Sequence, residues 1–391
     1  MAGCHIRSKI ETMATEKPLT QKQVEVVGTG RVAELDGFRA MAIWMVLFAH
    51  LIDGWPLAEN ATNGLPHFLV AAMQRGWLGV DLFFVLSGFL ITGILLDSKD
   101  KPHYFRNFYG RRALRILPLY LVVIGLEAIA YRGNGNFFLL CLFFGANFAA
   151  LLRVGIPHGP GVAWSLAVEE QFYLGWPLVV RLASRRTLAT ICISIFLAEP
   201  VLRGVARLHG LDPELQIAPL PWFHFDGLAL GALLSIWIRS PKCTKATSLR
   251  LAGTMLALSV LILAIGWPFG VAVSRSVAST ALRLTHMNLL FASAILAALA
   301  LAGTTSTAFL RHPFLRITSE FSYCIYLVHL AIGDGYRSAL HAVGVDPVAL
   351  LGGDWAWRCQ SVVILTISFG VAAVSKKYLE DPFLSLKQRY F

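Results

Sequence analysis

Apolar segments long enough to cross a lipid bilayer recur along this chain from residue 36 to residue 375. As a helix, a block of about 17 to 25 apolar residues matches a hydrocarbon core about 30 Å thick. No soluble domain separates the blocks, so the pattern predicts an all-α, polytopic integral membrane bundle of about ten transmembrane helices. The predicted helices are 36–51, 77–96, 113–131, 164–182, 190–205, 222–238, 251–271, 284–302, 320–340 and 357–374.

The composition excludes other classes of protein. The hydrophobic share is 56%, and only 15% of the residues are Asp, Glu, Lys or Arg, whereas soluble proteins carry about 25%. A soluble enzyme and a disordered chain are therefore excluded. The net charge of +11 also occurs in nucleic-acid-binding proteins, but cytoplasmic loops that face anionic lipid carry the same excess. We expect membrane lipids, and no nucleic acid, as partners.

The distribution of Lys and Arg sets the predicted topology. The basic loops all fall on one side of the membrane only if the apolar segment 137–152 does not cross it. That segment is therefore predicted to be a re-entrant or interfacial element, with both chain termini in the cytoplasm. We predict one transmembrane domain at 35–382, preceded by a polar cytoplasmic arm at 1–34 and followed by a cytoplasmic tail at 383–391.

The first predicted helix carries charged side chains at bilayer depth, where each costs at least about 2.5 kcal/mol. Its candidates are Asp36, Arg39 and His50. The spacing places Arg39 and His50 within about 20° of each other around the helix axis and about 16 Å apart along it. We therefore expect both to line one cavity. An imidazole titrates near neutral pH, which suits proton transfer, and Asp53 would orient the ring. The alternative is an interfacial histidine bonded to a loop carbonyl.

Two arginines follow the second predicted helix. Arg112 and Arg115 share one helix face, and two adjacent guanidinium groups suit a phosphate ligand. Ordinary anchoring of a cytoplasmic helix end explains them equally well. Within the second helix, Ser87 and Gly88 are expected to allow close helix packing, and Asp81 to cap backbone amides or to pair with a basic group.

Polar residues also interrupt the predicted helix 164–182. Ser165 and Glu169 stand four residues apart on one helix face, while Glu170 points to another. Carboxyl groups buried in this way are expected to be paired or protonated.

The predicted helix 320–340 carries a polar stripe formed by Ser322, Tyr326 and His329. A core histidine bonded to a neighbour is the alternative for His329. Elsewhere, Glu199 and Arg203 are expected to neutralise each other outside the site.

Taken together, these motifs resemble the acyltransferase 3 family of integral membrane acyltransferases. The likeness covers the chain from residue 35 to residue 382, and six motifs occur in the family's order. They are LDGFR at 35–39 with its spacing to His50, GVDLFFVLSGF at 79–89, Arg112-x-x-Arg115, WSLAVEEQFY at 164–173, SYCIYLVH at 322–329 and EDP at 380–382.

The resemblance implies transfer of an acyl group, often acetyl, from cytoplasmic acyl-CoA to a hydroxyl of a glycan or small molecule, in a bacterial inner membrane. A glycan and a macrolide-type small molecule both remain open as acceptors, with acceptor contacts expected in the outer loops 211–221 and 342–354. The resemblance assigns His50 as the catalytic residue, Arg39 as its partner along the cavity, and Arg112 and Arg115 as contacts to the donor phosphates. Glu169 and Glu170, which match a recurring family motif, are further catalytic candidates, and the candidate contacts to the substrates are Asp36, Ser165, Tyr326 and His329.

Two mechanisms fit these residues. His50 acts either as the general base toward the acceptor hydroxyl or as a covalent carrier of the acyl group. The sequence shows no metal-ligand spacing, so we expect a metal-free reaction with no permanently bound cofactor. The donor that the resemblance implies is acyl-CoA, in particular acetyl-CoA. A transporter or flippase and a non-catalytic scaffold subunit are the competing classes.

Overall fold

The computed structural model of the chain describes residues 32–52, 70, 73–271 and 276–390. Within these ranges the chain is all-α and contains ten helices of 14 residues or more. They are α1 (Ala33–Ile52), α2 (Gly79–Ser98), α3 (Tyr104–Ala130), α4 (Ala163–Leu182), α5 (Arg185–Leu208), α6 (Phe225–Ile238), α7 (Lys245–Gly266), α8 (Val277–Ala300), α9 (Pro313–Ala342) and α10 (Gly353–Ser375).

The ten long helices coincide with the ten predicted ones and differ from them mainly at their ends. The prediction was wrong about the start of α3, which begins at Tyr104 instead of Ala113 and runs through Pro118 without ending. Its first turns are polar, so an apolar pattern does not reveal them. α6 begins after its predicted start because Pro221–Phe223 forms a separate 3₁₀ turn.

Short helical elements connect the long helices. The 3₁₀ turns are Gly76–Leu78, Ala146–Phe148, Gly159–Val162, Pro221–Phe223, Trp267–Phe269 and Thr305–Arg311, the π-helical turns are Pro213–Ile217 and Lys376–Glu380, and the short α-helices are Gly135–Leu142, Pro347–Leu351, Asp381–Ser385 and Lys387–Tyr390.

The apolar segment between α3 and α4 contains no helix long enough to cross a bilayer. Its helix Gly135–Leu142 has eight residues and is about 12 Å long, too short to span a bilayer. The side chains of Asn147 and Gln171 exchange hydrogen bonds of 3.2 and 2.9 Å, and Gln171 also donates to the Phe144 carbonyl. These bonds attach the segment to α4, in agreement with the predicted re-entrant or interfacial element.

Several helices identify the chain as an integral membrane protein. Six are both long and apolar enough to cross a membrane, whereas α6 is apolar but has only 14 residues. The predicted total of about ten crossings is not confirmed and stays a prediction. The helices α1, α4 and α9 are not among the six, and each of them carries polar residues of the candidate site. The six candidate spans are Gly76–Ser98, Tyr104–Ala130, Arg185–Leu208, Lys245–Phe269, Val277–Ala300 and Trp355–Ser385.

Ion pairs and hydrogen bonds join the helix ends that meet at one end of the bundle. Near the end of α2, Asp97 binds the guanidinium of Arg239 after α6 through two contacts of 2.6 and 2.7 Å. Arg185 at the start of α5 donates to the Arg239 carbonyl. Arg311, just before α9, pairs with Glu34 in the first turn of α1 at 2.9 Å. We call this the basic end; the first and last long helices, α1 and α10, begin and end there.

α2 and α6 touch backbone to backbone. A Cβ atom on Gly88 would lie 1.9 Å from the carbonyl oxygen of Leu228, and one on Gly231 would lie 2.0 Å from that of Val85. No residue larger than glycine fits at either position without a shift. The predicted close packing is therefore confirmed for Gly88, whereas the neighbouring Ser87 turns its hydroxyl toward α4, where it donates to Glu169 at 2.6 Å.

Candidate active site

Four adjoining cavities follow one another from the basic end toward the opposite end of the bundle. The first, which we call the basic cavity, has a volume of about 900 Å³. It lies between the first turns of α1, α3 and α9, the end of α2 and the residues after α10. Its described lining residues are Asp36, Arg39, Ile94, Phe108, Arg111, Arg112, Arg115, Ser319, Glu320, Lys376 and Lys387.

The second, or central, cavity has a volume of about 160 Å³ and shares four wall residues with the basic cavity. Its polar lining combines residues of α1, α2, α3, α4 and α9. The shared residues are Arg39, Arg112, Arg115 and Ser319, and the further polar residues are Ser87, Ser165, Glu169, Tyr173, Ser322, Tyr323 and Tyr326.

The third, or histidine, cavity contains His50 in its wall and has a volume of about 200 Å³. It shares Val80 and Tyr326 with the central cavity. Beyond it lies a vestibule of about 360 Å³, lined by residues of 146–164 and of the connection 213–219. The predicted acceptor loop 211–221 thus contributes to these walls, whereas 342–354 does not appear among their described residues. The histidine cavity and the vestibule share Trp77, Gly161, Trp164, Pro213, Ala218 and Arg283.

The basic cavity carries a large excess of positive charge. Among its described lining residues, six are cationic and two, Asp36 and Glu320, are acidic. Arg112 stacks 5.3 Å from the ring centre of Tyr173, and Arg115 lies 4.0 Å from the carboxylate of Glu380 in the closing motif. The two arginines predicted to bind phosphate therefore face one cavity, and each is held by a neighbour.

Lys387, in the short helix Lys387–Tyr390 at the chain end, adds a titratable cation to this cavity. Burial, together with the positive charges of Arg115, Arg112 and Arg111, lowers the pKa of Lys387 to about 8. An anionic ligand would relieve this repulsion. Sequence inspection missed Lys387 because it treated the tail as a simple positive-inside anchor.

His50 and His329 form a hydrogen-bonded pair between α1 and α9. The Nε2 of His329 lies 2.9 Å from the Nδ1 of His50, and the ring centres are 5.0 Å apart. The Nδ1 of His329 faces the carbonyl oxygens of Ile325 and Tyr326 at 3.0 and 2.9 Å. Carbonyl oxygens only accept hydrogen bonds, so Nδ1 of neutral His329 carries the proton and Nε2 accepts. His50 must then donate from Nδ1, which leaves the lone pair on its Nε2.

The two neighbouring glutamates of α4 are used differently. Glu169 lines the central cavity and accepts the hydrogen bond from Ser87. Glu170 does not appear in the walls of the four cavities, and its buried Oε1 has no hydrogen-bond partner within the described chain. Tyr173 lines the central cavity with Glu169. The structure therefore brings Glu169, and not Glu170, to the candidate site.

Ser165 and Tyr326 connect α4 to α9 at the boundary between the central and histidine cavities. Their hydroxyl groups hydrogen-bond to each other, and both lie close to the Val162 carbonyl, at 3.2 Å for Ser165 and 3.3 Å for Tyr326. Both residues line the central cavity, and Tyr326 also lines the histidine cavity.

The expectation that Arg39 and His50 line one cavity was wrong. Arg39 lines the basic and central cavities and lies 3.4 Å from Asp36, whereas His50 lines the histidine cavity. Helical spacing fixes the stripe on α1, but the side chain of Tyr326 from α9 stands at the division between the cavities. Asp53, the predicted partner of His50, lies outside the described residues.

Sequence reasoning missed a second imidazole in the histidine cavity. His224, just before α6, lies 3.5 Å from the carboxylate of Asp81 in the first turn of α2. No spacing rule links two residues so far apart in the sequence. The prediction that Asp81 pairs with a basic group was therefore correct, but it did not identify His224 as the partner. Glu199 and Arg203 also pair as expected, at 3.5 Å, but the expectation that they lie outside the site was wrong for Arg203, which lines the histidine cavity.

Metal ligation was also considered. Within the described ranges, no three His, Cys, Asp or Glu side chains lie close enough together to hold a metal ion. The metal-free reaction stays a prediction.

These observations define a class of protein: an integral membrane helical bundle in which a narrow polar cavity joins a cationic cavity to a cavity lined by His50, one member of a histidine pair. The chain belongs to the acyltransferase 3 family, whose model, described as an acyltransferase domain, matches residues 32–376.

Relatives with curated names carry related descriptions. The chain is 27% identical over 390 residues to the peptidoglycan O-acetyltransferase OatA of Listeria monocytogenes, covering 90% of this chain and 55% of the relative. It is 28% identical over 401 residues to the putative peptidoglycan O-acetyltransferase YrhL of Bacillus subtilis, covering 91% and 56%. The chain thus spans about half the length of these relatives. No solved structure matches it.

Proposed function

We propose that this protein is a membrane O-acyltransferase that moves an acyl group, in particular acetyl, from acyl-CoA to a hydroxyl of a carbohydrate acceptor. Membership of the acyltransferase 3 family supports the transfer chemistry. The observation that carries the assignment to a site is the hydrogen bond from His50 to His329, which leaves a basic nitrogen on His50 in a cavity wall.

The basic cavity is the proposed donor site. Its excess of cationic side chains suits the phosphate groups of CoA, and guanidinium groups such as those of Arg112 and Arg115 bind phosphate through paired hydrogen bonds. The positive-inside rule assigns the basic end to the cytoplasm, where acyl-CoA is made. By this rule both chain termini are cytoplasmic, in a bacterial plasma membrane.

In the simplest mechanism, the acceptor hydroxyl oxygen attacks the thioester carbonyl while Nε2 of His50 takes its proton. The carbon–sulfur bond then breaks, and the departing CoA thiolate receives that proton. His329 holds His50 in the tautomer that this step needs. In the alternative, Nε2 itself attacks the thioester, the carbon–sulfur bond breaks and CoA leaves as its thiolate. The acyl-imidazolium then passes its acyl group to the acceptor hydroxyl oxygen, and the hydroxyl proton neutralises the thiolate. Both mechanisms use the same nitrogen.

The acceptor is proposed from the relatives whose names specify peptidoglycan O-acetylation. A carbohydrate is the first choice, and a macrolide-type small molecule is the alternative. In a different class, a transporter or flippase is favoured by one observation, the series of cavities that adjoin from one end of the bundle to the other.

Consumption of the thioester separates these classes. Purified protein in liposomes is incubated with acetyl-CoA labelled in the acetyl group and with methyl N-acetyl-β-D-glucosaminide as acceptor, and thioester loss is compared for wild type, His50→Ala and His286→Gln. His286 is a buried histidine on α8 outside the walls of the four cavities, so it is the matched control. We expect His50→Ala to be slower by about 10²- to 10⁴-fold and the control to match wild type. Equal rates for wild type and His50→Ala would remove His50 from the mechanism, and no thioester loss by any variant would favour transport.

A further inference from the structure

His224 and Asp81 form a buried pair that the proposed chemistry does not use. Both side chains are 3% exposed, and the Nε2 of His224 lies 3.5 Å from the Oδ1 of Asp81. Within the described chain, neither Oδ1 of Asp81 nor Nδ1 of His224 makes a hydrogen bond. Leaving a buried polar atom unsatisfied costs about 1–3 kcal/mol. Two such atoms, on residues that lie side by side in the structure, indicate that both are available to form hydrogen bonds with a ligand.

The neighbouring buried charges provide a comparison from the same region. All three guanidinium nitrogens of Arg203 are engaged, including bonds of 2.8 Å to Asp226 and 2.7 Å to Thr285. Glu199 accepts hydrogen bonds from two backbone amides at the start of α6. That network has the contacts expected of a structural link between helices. The pair of His224 and Asp81 lacks them, so a purely structural role does not explain it.

The surroundings of the pair suit a polyhydroxylated ring. His224 packs edge to face against Phe84 and Trp164, with ring centres 5.6 Å apart in both cases, which fixes the imidazole. His224, Asp81 and Trp164 line the histidine cavity together with His50 and Trp77. Aromatic walls with a few fixed polar groups are typical of small-ligand sites. A pyranoside matches such a site because it presents C–H groups on its faces and hydroxyls around its rim.

We propose that His224 and Asp81 form the acceptor subsite, where they bind hydroxyl groups of a pyranoside ring that packs against the tryptophans and so present another hydroxyl to His50. The inference rests on the proposed function and adds to it the residues that recognise the acceptor. His224 and Asp81 are positioning residues here, because the proton is taken by His50. The vestibule, which shares Trp77 and Trp164 with this cavity, is the entry for the glycan.

The test separates recognition of the acceptor from use of the donor. Wild type, His224→Gln, Asp81→Asn and the control His286→Gln are reconstituted in liposomes with acetyl-CoA and increasing methyl N-acetyl-β-D-glucosaminide, and formation of the acetyl ester is measured. We expect the KM for the glycoside to rise about tenfold in His224→Gln and Asp81→Asn, the effect of one lost hydrogen bond to a charged or polar partner. The KM for acetyl-CoA should stay as in wild type, and the control should match wild type in both constants.

Three results would overturn the inference. One is an unchanged glycoside KM in both variants; another is a parallel rise in the KM for acetyl-CoA, which indicates general damage. The third is consumption of acetyl-CoA by wild type with no ester formed on the glycoside. If wild type consumes no acetyl-CoA, the proposed function fails by itself, and titration calorimetry of the same glycoside then decides the subsite: binding by wild type and about tenfold weaker binding by His224→Gln supports it, and equal or absent binding rejects it.

Discussion

The basic cavity and the histidine cavity differ in how their polar groups are held. In the basic cavity the side chains of Arg39 and Arg115 are 40% and 35% exposed, and water screens their charges. At the histidine cavity the imidazoles are buried: His224 in its wall is 3% exposed, and His329, which bonds to the lining residue His50, is 2% exposed. The hydrogen bond between His329 and His50 is therefore fixed in direction. If the proposed function is right, the first cavity recognises its ligand by total charge, whereas the second depends on the position of single protons.

The largest effect in this comparison is expected for the partner of His50. His329→Leu removes the acceptor of the hydrogen bond from His50 Nδ1, so His50 is free to adopt the unproductive tautomer, and kcat should fall about 100-fold. His329→Gln, whose carbonyl oxygen still accepts that bond, should retain more activity. Steady-state kinetics with acetyl-CoA measure kcat for the two variants and for wild type. Equal loss in the two variants would mean that His329 supports packing and not the tautomer.

The arginine pair tests recognition by charge. Arg112→Ala or Arg115→Ala should raise the KM for acetyl-CoA about tenfold, because each removes a charged hydrogen bond to phosphate. The effect should shrink as salt concentration rises. Arg186→Ala provides the control, since Arg186 is an exposed cation at the start of α5 outside the cavity walls. A salt-independent effect, or one equalled by the control, would contradict recognition by charge.

The two glutamates sharpen the comparison between lining and non-lining groups. Glu169→Gln should lower kcat about fivefold, since it weakens the charge-assisted bond from Ser87 in the central cavity. Glu170→Gln should leave kcat unchanged and should not lower the thermal midpoint, because its buried Oε1 makes no hydrogen bond in the described structure that would be lost. Turnover measurements give kcat for the two variants, and thermal unfolding in detergent gives their thermal midpoints. A larger loss of kcat in Glu170→Gln than in Glu169→Gln would reverse the assignment.

The smallest expected effect concerns pH. With its pKa lowered to about 8, Lys387 is charged at pH 7 and largely neutral at pH 9. Donor affinity should therefore weaken as pH rises, with the KM for acetyl-CoA increasing about two- to threefold between pH 7 and pH 9. Lys387→Met should already show the higher KM at pH 7 and lose this part of the pH dependence. The same pH dependence in Lys387→Met would assign it to another group.

The fold was predictable to the extent that local patterns determine it. Apolar blocks located all ten long helices. The charge count predicted that 137–152 does not cross, and the structure has only short helical elements there. Helix ends were less accurate, as at Tyr104, because polar first turns carry no apolar signal. The small size of Gly88 predicted a close helix contact, but it did not identify α6, which carries Leu228, as the partner helix.

The site was predictable only within single helices. Spacing placed Ser165 with Glu169, and Ser322 with Tyr326, on common faces, and both pairs line the central cavity. Contacts between distant segments were not accessible in this way. His50 meets His329 only because α1 packs against α9, and no periodicity within one helix encodes such a meeting.

The backbone contact between α2 and α6 limits how material could travel through the bundle. The backbones packed together at Gly88 and Gly231 leave no space for a ligand between α2 and α6 at these positions, and α2 carries both Asp81 and Ser87, which line different cavities. A path along the contact between these two helices is therefore disfavoured. Passage from the central cavity to the histidine cavity would depend instead on the rotation of individual side chains such as Tyr326, which lines both cavities.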